Sequence, residues 1–117
     1  RGSVPATTLG MLQKGMTSVT AASKTTYTAV PGDQIVVDTV ANPVTITLPA
    51  SPAVGDEVTI MDGSASNGFA TNNCIIDRNS ENIEGAAAND TLATNNQCVT
   101  LIYANAAKGW LYKSTNQ

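Results

Sequence analysis

Three short apolar runs, at residues 34–39, 44–48 and 57–61, constrain the fold of this chain more than any other feature. Asn42-Pro43 parts the first from the second, and Pro49-Ala50-Ser51-Pro52 with Gly55-Asp56 parts the second from the third. In the middle run Val44, Ile46 and Leu48 alternate with Thr45 and Thr47, the period of two that turns one face of a strand into a core. β-Branched residues dominate the runs, and the proline and glycine between them break any helix. Three consecutive strands are therefore predicted, with Ile35, Val37, Val44, Ile46, Leu48, Val58 and Ile60 facing inward.

The same signals continue downstream. Residues 74–77 read as a strand, 77–82 as a turn, 89–93 as a weak strand and 95–96 as a turn. Residues 97–103 form the strongest later strand, with Val99, Leu101 and Tyr103 on one face, and a turn over 105–108 leads to a closing strand with Trp110 and Tyr112. Between strands, residues 62–73 are rich in Gly, Ser and Asn. This loop begins Asp-x-Ser-x-Ser-Asn but has Asn67 and Asn73 where a calcium loop needs Gly and Glu, so it reads as a plain connection with Phe69 tucked inward. Ahead of residue 34, residues 17–21 and 25–29 are weak strands and Pro31-Gly32-Asp33 is a turn. Eight to ten short strands with frequent turns predict an all-β domain, an antiparallel β-sandwich of jelly-roll-like kind.

The start of the chain has a different texture. Leu9, Met11, Leu12 and Met16 make an apolar patch interrupted by Gly10 and Gly15, a spacing that suits neither helix nor strand. An extended N-terminal arm over residues 1–22 is predicted, followed by the β domain over 23–117. Exposed Leu and Met on an arm favour contact with a partner chain, while a terminus without fixed structure is the alternative. Arg1 in place of Met points to a chain trimmed, processed or cut from something longer.

Chemistry is scarce. The 117 residues contain no His, so the commonest general base is missing, and six Lys and Arg against nine Asp and Glu give a net charge of −3. Scattered cations give no footprint for nucleic acid or anionic membrane, and no apolar run is long enough to cross a bilayer. The carboxylate pairs Asp56/Glu57 and Glu81/Glu84 read as surface groups, the first being neighbours on opposite faces of a strand. Arg78 beside Asp77 reads as half of a structural ion pair. Cys74 and Cys98 read as two buried thiols at strand starts, with a disulfide between neighbouring strands left open; without His they lack a metal-ligand spacing. No catalytic group, cofactor or metal site is expected. One Phe, one Trp and three Tyr make a thin core, and such a domain gains stability by burying surface against copies of itself.

One linear pattern carries more. Tyr27-x-Ala29, Gly32-Asp33-x-Ile35-x-Val37-Asp38-Thr39, Val44-Thr45-Ile46-x-Leu48-Pro49-Ala50-Ser51-Pro52 and Gly55-Asp56-x-Val58-x-Ile60-x-Asp62 follow one another, and the series runs on through Phe69-x-x-Asn72-Asn73, Ile83-x-Gly85, Leu92, Val99-x-Leu101-Ile102-Tyr103 and Gly109-Trp110. Over residues 24–113 this resembles a β-rich domain of tailed-bacteriophage virion proteins, found at the ends of tail fibres and in small head-decoration or head-fibre proteins, commonly as trimers. The chain departs from the pattern in placing cysteines at strand positions and in lacking a Gly within 79–82. The resemblance implies a non-enzymatic virion protein, a homotrimer that decorates the capsid and contacts the major capsid protein or other virion proteins through Leu9, Met11, Leu12 and Met16. The alternative it implies is a tail fibre or tailspike tip that binds a host surface glycan or protein through loops 62–73 and 79–82, with the arm as the end of a shaft. Either way the expected location is the virion, assembled in the bacterial cytoplasm.

Overall fold

The computed structural model describes residues 15–116. Among them are nine strands and no helix: β1 (Met16–Thr20), β2 (Thr26–Thr28), β3 (Gln34–Asp38), β4 (Val44–Thr47), β5 (Glu57–Asp62), β6 (Cys74–Asp77), β7 (Asp90–Leu92), β8 (Cys98–Asn105) and β9 (Gly109–Asn116). They form a five-stranded sheet in the order β1-β3-β5-β8-β9 and a four-stranded sheet in the order β2-β4-β6-β7. From β1 to β6 the chain changes sheet at every connection, so like strands stack on like.

Parallel neighbours result. Met16 lies beside Gln34, Gln34 beside Thr59, Thr26 beside Thr45 and Val44 beside Cys74, all in parallel ladders. Antiparallel pairing is confined to β5–β8, β6–β7 and β8–β9. The expected antiparallel, jelly-roll-like sandwich is thus corrected to two mixed sheets. The physical reason lies in the turns. Short connections with Pro and Gly usually close hairpins, but here they carry the chain across to the other sheet. Five residues, 29–33, reach about 17 Å when extended, more than the roughly 10 Å between packed sheets. Each parallel crossover therefore contains a strand of the opposite sheet in place of a helix.

Two of these crossings use the same turn. Gly32 and Gly55 sit at φ 89° and 95°, a region open to glycine without strain. In both turns the following Asp closes the loop on itself: Asp33 Oδ2 accepts the Val30 N–H at 2.9 Å, and Asp56 Oδ2 accepts the Ala53 N–H at 2.9 Å. The Asp33 and Asp56 amides return bonds of 3.1 and 3.0 Å to the Val30 and Ala53 carbonyls.

One core lies between the sheets. Ile35, Val37, Val44, Ile46, Leu48, Val58, Ile60, Val99, Leu101 and Trp110 are fully buried and Tyr103 is 8% exposed. Phe69, Cys74, Ile76, Ile83 and Leu92 join them, and Tyr103 meets Trp110 edge to face at 5.5 Å. The arm expected over 1–22 is corrected at its later end. Residues 16–20 are β1, paired with β3 along its whole length, and Val19 and Ala21 are buried. Alternation explains it, since Val19 falls on the inward face. Leu9, Met11 and Leu12 lie outside the described residues. Of the two cysteines Cys74 is buried, whereas Cys98, expected inside, is half-buried on the outer face of its strand; both thiols are free.

Candidate functional site

Strand direction gives the molecule two distinct ends. β1, β3 and β5 start at one end, where β2, β4 and β6 finish, and the chain enters β1 there. Connections 29–33, 48–56, 78–89 and 106–108 share this entry end. Connections 21–25, 39–43, 63–73 and 93–97 share the far end. The two loops expected to act together on a receptor, 62–73 and 79–82, are therefore at opposite ends. They cannot form one surface.

The entry end carries exposed apolar side chains. Met16 is 62% exposed, Val30 48% and Val54 76%. Beside them, loop 78–84 is held firmly. Asn79 and Ser80 adopt φ 50° and 74°; the Asn79 amide donates to Asp77 at 2.9 Å and its side chain to the Leu48 carbonyl at 2.9 Å. Arg78 donates through Nη1 to the Glu81 carbonyl at 3.1 Å, and Glu81 accepts the Tyr103 hydroxyl at 2.9 Å. The expected ion-pair role of Arg78 is taken by this carbonyl contact.

The far end, apart from Val40 at 40% exposed, is polar and centred on Asp62. Its Oδ1 accepts the Ser64 N–H at 3.0 Å, and its Oδ2 accepts the Phe69 and Asn96 N–H groups at 3.1 and 3.0 Å. Burial pushes the carboxyl upward, but the hydrogen bonds from Ser64, Phe69 and Asn96 outweigh it and hold the group below its ordinary value. Ser64 Oγ takes the Thr39 N–H at 2.9 Å, Asn72 donates to the Thr39 carbonyl at 2.9 Å, and Asn95 Oδ1 accepts the Ala70 N–H at 3.0 Å. Three connections are thereby sewn into one block around a hollow of about 150 Å³. Gly68 is needed there, because a Cβ would collide with the Asp62 carboxylate.

Along the side, between β7 and β9, runs a shallow polar groove of about 320 Å³ lined by Asp90, Thr91, Thr94, Gln97 and Tyr112. The Tyr112 hydroxyl donates to the Asp90 carboxylate. Burial, then that bond and the negative charges of Asp90 and Glu84, push the phenol far above its ordinary value, so it stays neutral. Glu84 accepts the Tyr112 backbone N–H at 2.9 Å. Of the carboxylates weighed above as pairs, Asp56 closes a turn and Glu57 meets Lys113 at 2.9 Å. Glu81 and Glu84 bind the groups just named. None of the four faces another across a cleft, and among the described residues no group of three His, Cys, Asp or Glu could hold a metal. Cys74, its thiol pushed up to about 12 by burial and then by Asp62, is a packing residue and no nucleophile.

The outer face of the five-stranded sheet completes the survey. Outward positions on β3, β5, β8 and β9 place Val36 beside Met61 and Cys98 in one row, and Ile102 beside Leu111 in another. All five are half-buried. The rows make two apolar patches, one across β3, β5 and β8 and one across β8 and β9, parted by the hydroxyl pair Thr59 and Thr100, on a face that should be polar if water covered it. Sequence reasoning missed these patches, since each strand alone shows only one or two such residues and register is what aligns them. Compared with known proteins, the chain matches no protein-family model and no curated protein.

Proposed function

We propose that this chain is a non-enzymatic structural protein of a bacteriophage virion, a homotrimer that decorates the capsid shell. The phage assignment rests on the linear residue pattern, from Tyr27-x-Ala29 to Gly109-Trp110, and the trimer on the two apolar patches, Val36, Met61 and Cys98 in one and Ile102 and Leu111 in the other. Those patches, on one face of the five-stranded sheet, are the observation that carries the reading. Closed three-fold symmetry covers such a face in every copy and leaves no open site for further growth. The entry end, with Met16, Val30 and Val54 exposed, is the surface turned to the major capsid protein, together with residues ahead of β1. A low charge density suits close contact between copies.

Two measurements test it. Sedimentation at micromolar concentration is expected to give three times the 12.0 kDa chain mass, and Ile102→Lys is expected to give a folded single chain. Met16→Asp with Val54→Asp is expected to abolish attachment to decoration-free capsids while the trimer persists. A 12.0 kDa species for the unaltered chain removes the trimer, and undiminished attachment removes the entry end.

A second reading, a tail fibre or tailspike tip, is favoured by the far end: its polar loops are rigid and point away from where the chain enters. Purified protein that adsorbs to host cells or surface glycan, and loses this with Ser66→Arg and Asn67→Arg, would replace decoration by this reading.

A further inference from the structure

The polar groove between β7 and β9 is built around a buried amide. Gln97 is 4% exposed and stands just ahead of β8, where its backbone is fixed from two sides. Its N–H donates to the Thr94 carbonyl at 3.2 Å, and its carbonyl accepts the Asp62 N–H at 2.9 Å. The side chain closes the same turn, with Oε1 accepting the Thr94 N–H at 3.2 Å. An N–H can bond only the oxygen of an amide, so this contact sets the amide's orientation and turns Nε2 the other way, toward the groove that Gln97 lines. Among the described residues Nε2 meets no partner, and it is not sealed from the surface. Two donors at the foot of a hollow are open to an acceptor from outside the chain.

We infer that this groove binds a neutral saccharide, gripping two neighbouring sugar hydroxyls between Asp90 and Gln97. Asp90 supplies the acceptors. Its Oδ2 holds the Tyr112 hydroxyl and its Oδ1 the Thr91 N–H, while a carboxylate has room for about four such bonds, so about two remain. Gln97 Nε2 supplies the donors. A hydroxyl can both give and take a hydrogen bond, so one on the sugar donates to Asp90 while its neighbour accepts from Gln97. Thr91 and Thr94, both exposed, add hydroxyls at the rim. The bond from Tyr112 to Asp90 fixes the wall before any ligand arrives, which lowers the cost of ordering it on binding.

The lining argues against other classes of ligand. Among the described residues no Lys or Arg lines the groove, and Asp90 with Glu84 beside Tyr112 makes it negative, so phosphates and acidic sugars are repelled. An apolar ligand would strip water from Asp90 and Gln97 without replacing its bonds. A peptide added as a strand needs open backbone donors, and the Thr91 and Tyr112 N–H groups are taken by Asp90 and Glu84. A volume of about 320 Å³ lies at the low end for small-molecule sites and suits about one or two sugar rings. Few contacts in an open groove give weak binding, of about millimolar strength for a single site. This inference does not rest on capsid decoration, and it does not use Ser66 or Asn67, whose replacement tests the tip reading.

Titration of the isotope-labelled full chain, followed residue by residue by NMR, tests it. The probes are glucose, galactose, mannose and N-acetylglucosamine, with N-acetylneuraminate and inorganic phosphate as anionic comparisons. At least one neutral sugar is expected to shift the Gln97 side-chain amide and the Thr91 and Thr94 backbone amides along one saturating curve at about millimolar concentration. Neither anion is expected to do so. Gln97→Glu keeps an oxygen for the Thr94 N–H but removes both donors, and Thr91→Arg fills the groove from an exposed position; each is expected to weaken binding at least about tenfold. The fluorescence of buried Trp110 reports that each variant is folded, and the exposed Thr91→Arg decides the matter if Gln97→Glu is not. No response to any of the neutral sugars overturns the inference. So does a response centred on Ser66 and Asn67, an equal response to the anions, or undiminished binding by folded Thr91→Arg.

Discussion

Asp62 is the residue on which the far end depends. It ends β5 and takes three backbone N–H groups from two different connections, so its loss frees donors that nothing nearby can replace. Hydrogen bonds to a charged acceptor contribute about 1.5–3 kcal/mol each to a partly buried site, though neighbouring bonds do not add fully. Asp62→Asn is expected to lower stability by about 2–3 kcal/mol in urea titration. Its pH dependence has a defined sign. The carboxyl is held below its ordinary value in the folded state, so its contribution is complete above the unfolded pKa of about 3.9 and is lost as pH falls toward the folded value. The variant should therefore show a flatter loss of stability below about pH 4 than the unaltered chain. Nothing in the sequence marks this hub. Asp62 to Asn96 and Thr39 to Ser64 are contacts between residues far apart in the chain, and loop composition carries no spacing that would pair them. The apolar alternation at Val44, Ile46 and Leu48 was legible because it is local.

At the level of elements, each strand could be placed from its own residues, yet its partner could not. Half-buried strands show a period of two whether they pair parallel or antiparallel, and residues 34–61 contain only that information. What decided the pairing was the path of the turns, set by Gly32 and Gly55 and closed by Asp33 and Asp56. The edges at the other side of the stack show a further device. Glu84 takes the outward N–H of Tyr112 on β9, and Asp90 takes the N–H of Thr91 on β7 at 2.8 Å. Both edge strands thus present satisfied donors and negative charge instead of an open ladder, which discourages unwanted pairing. Replacing both, as Glu84→Gly, which suits the φ of 52° there, with Asp90→Ala, is expected to leave the sheets formed but raise concentration-dependent light scattering. Unaltered scattering would mean that the two carboxylates do not guard these edges.

For the whole molecule, the single core shared by both sheets ties every strand to one cooperative unit, and Trp110, fully buried between them, reports on it. Unfolding followed by the fluorescence of this sole tryptophan should coincide with loss of the β signal in circular dichroism. The midpoint then carries the assembly question. If the apolar patches at Met61 and Ile102 are covered by copies of the chain, folding and association are linked, and stability rises with concentration by mass action. For a trimer of chains this size, a tenfold increase in concentration should raise the midpoint by about 3–4 °C. Ile102→Lys should remove that slope while the unfolding curve stays cooperative, because its side chain points away from the core. A midpoint independent of concentration in the unaltered chain would leave these patches without a partner, and the homotrimer would fall with it.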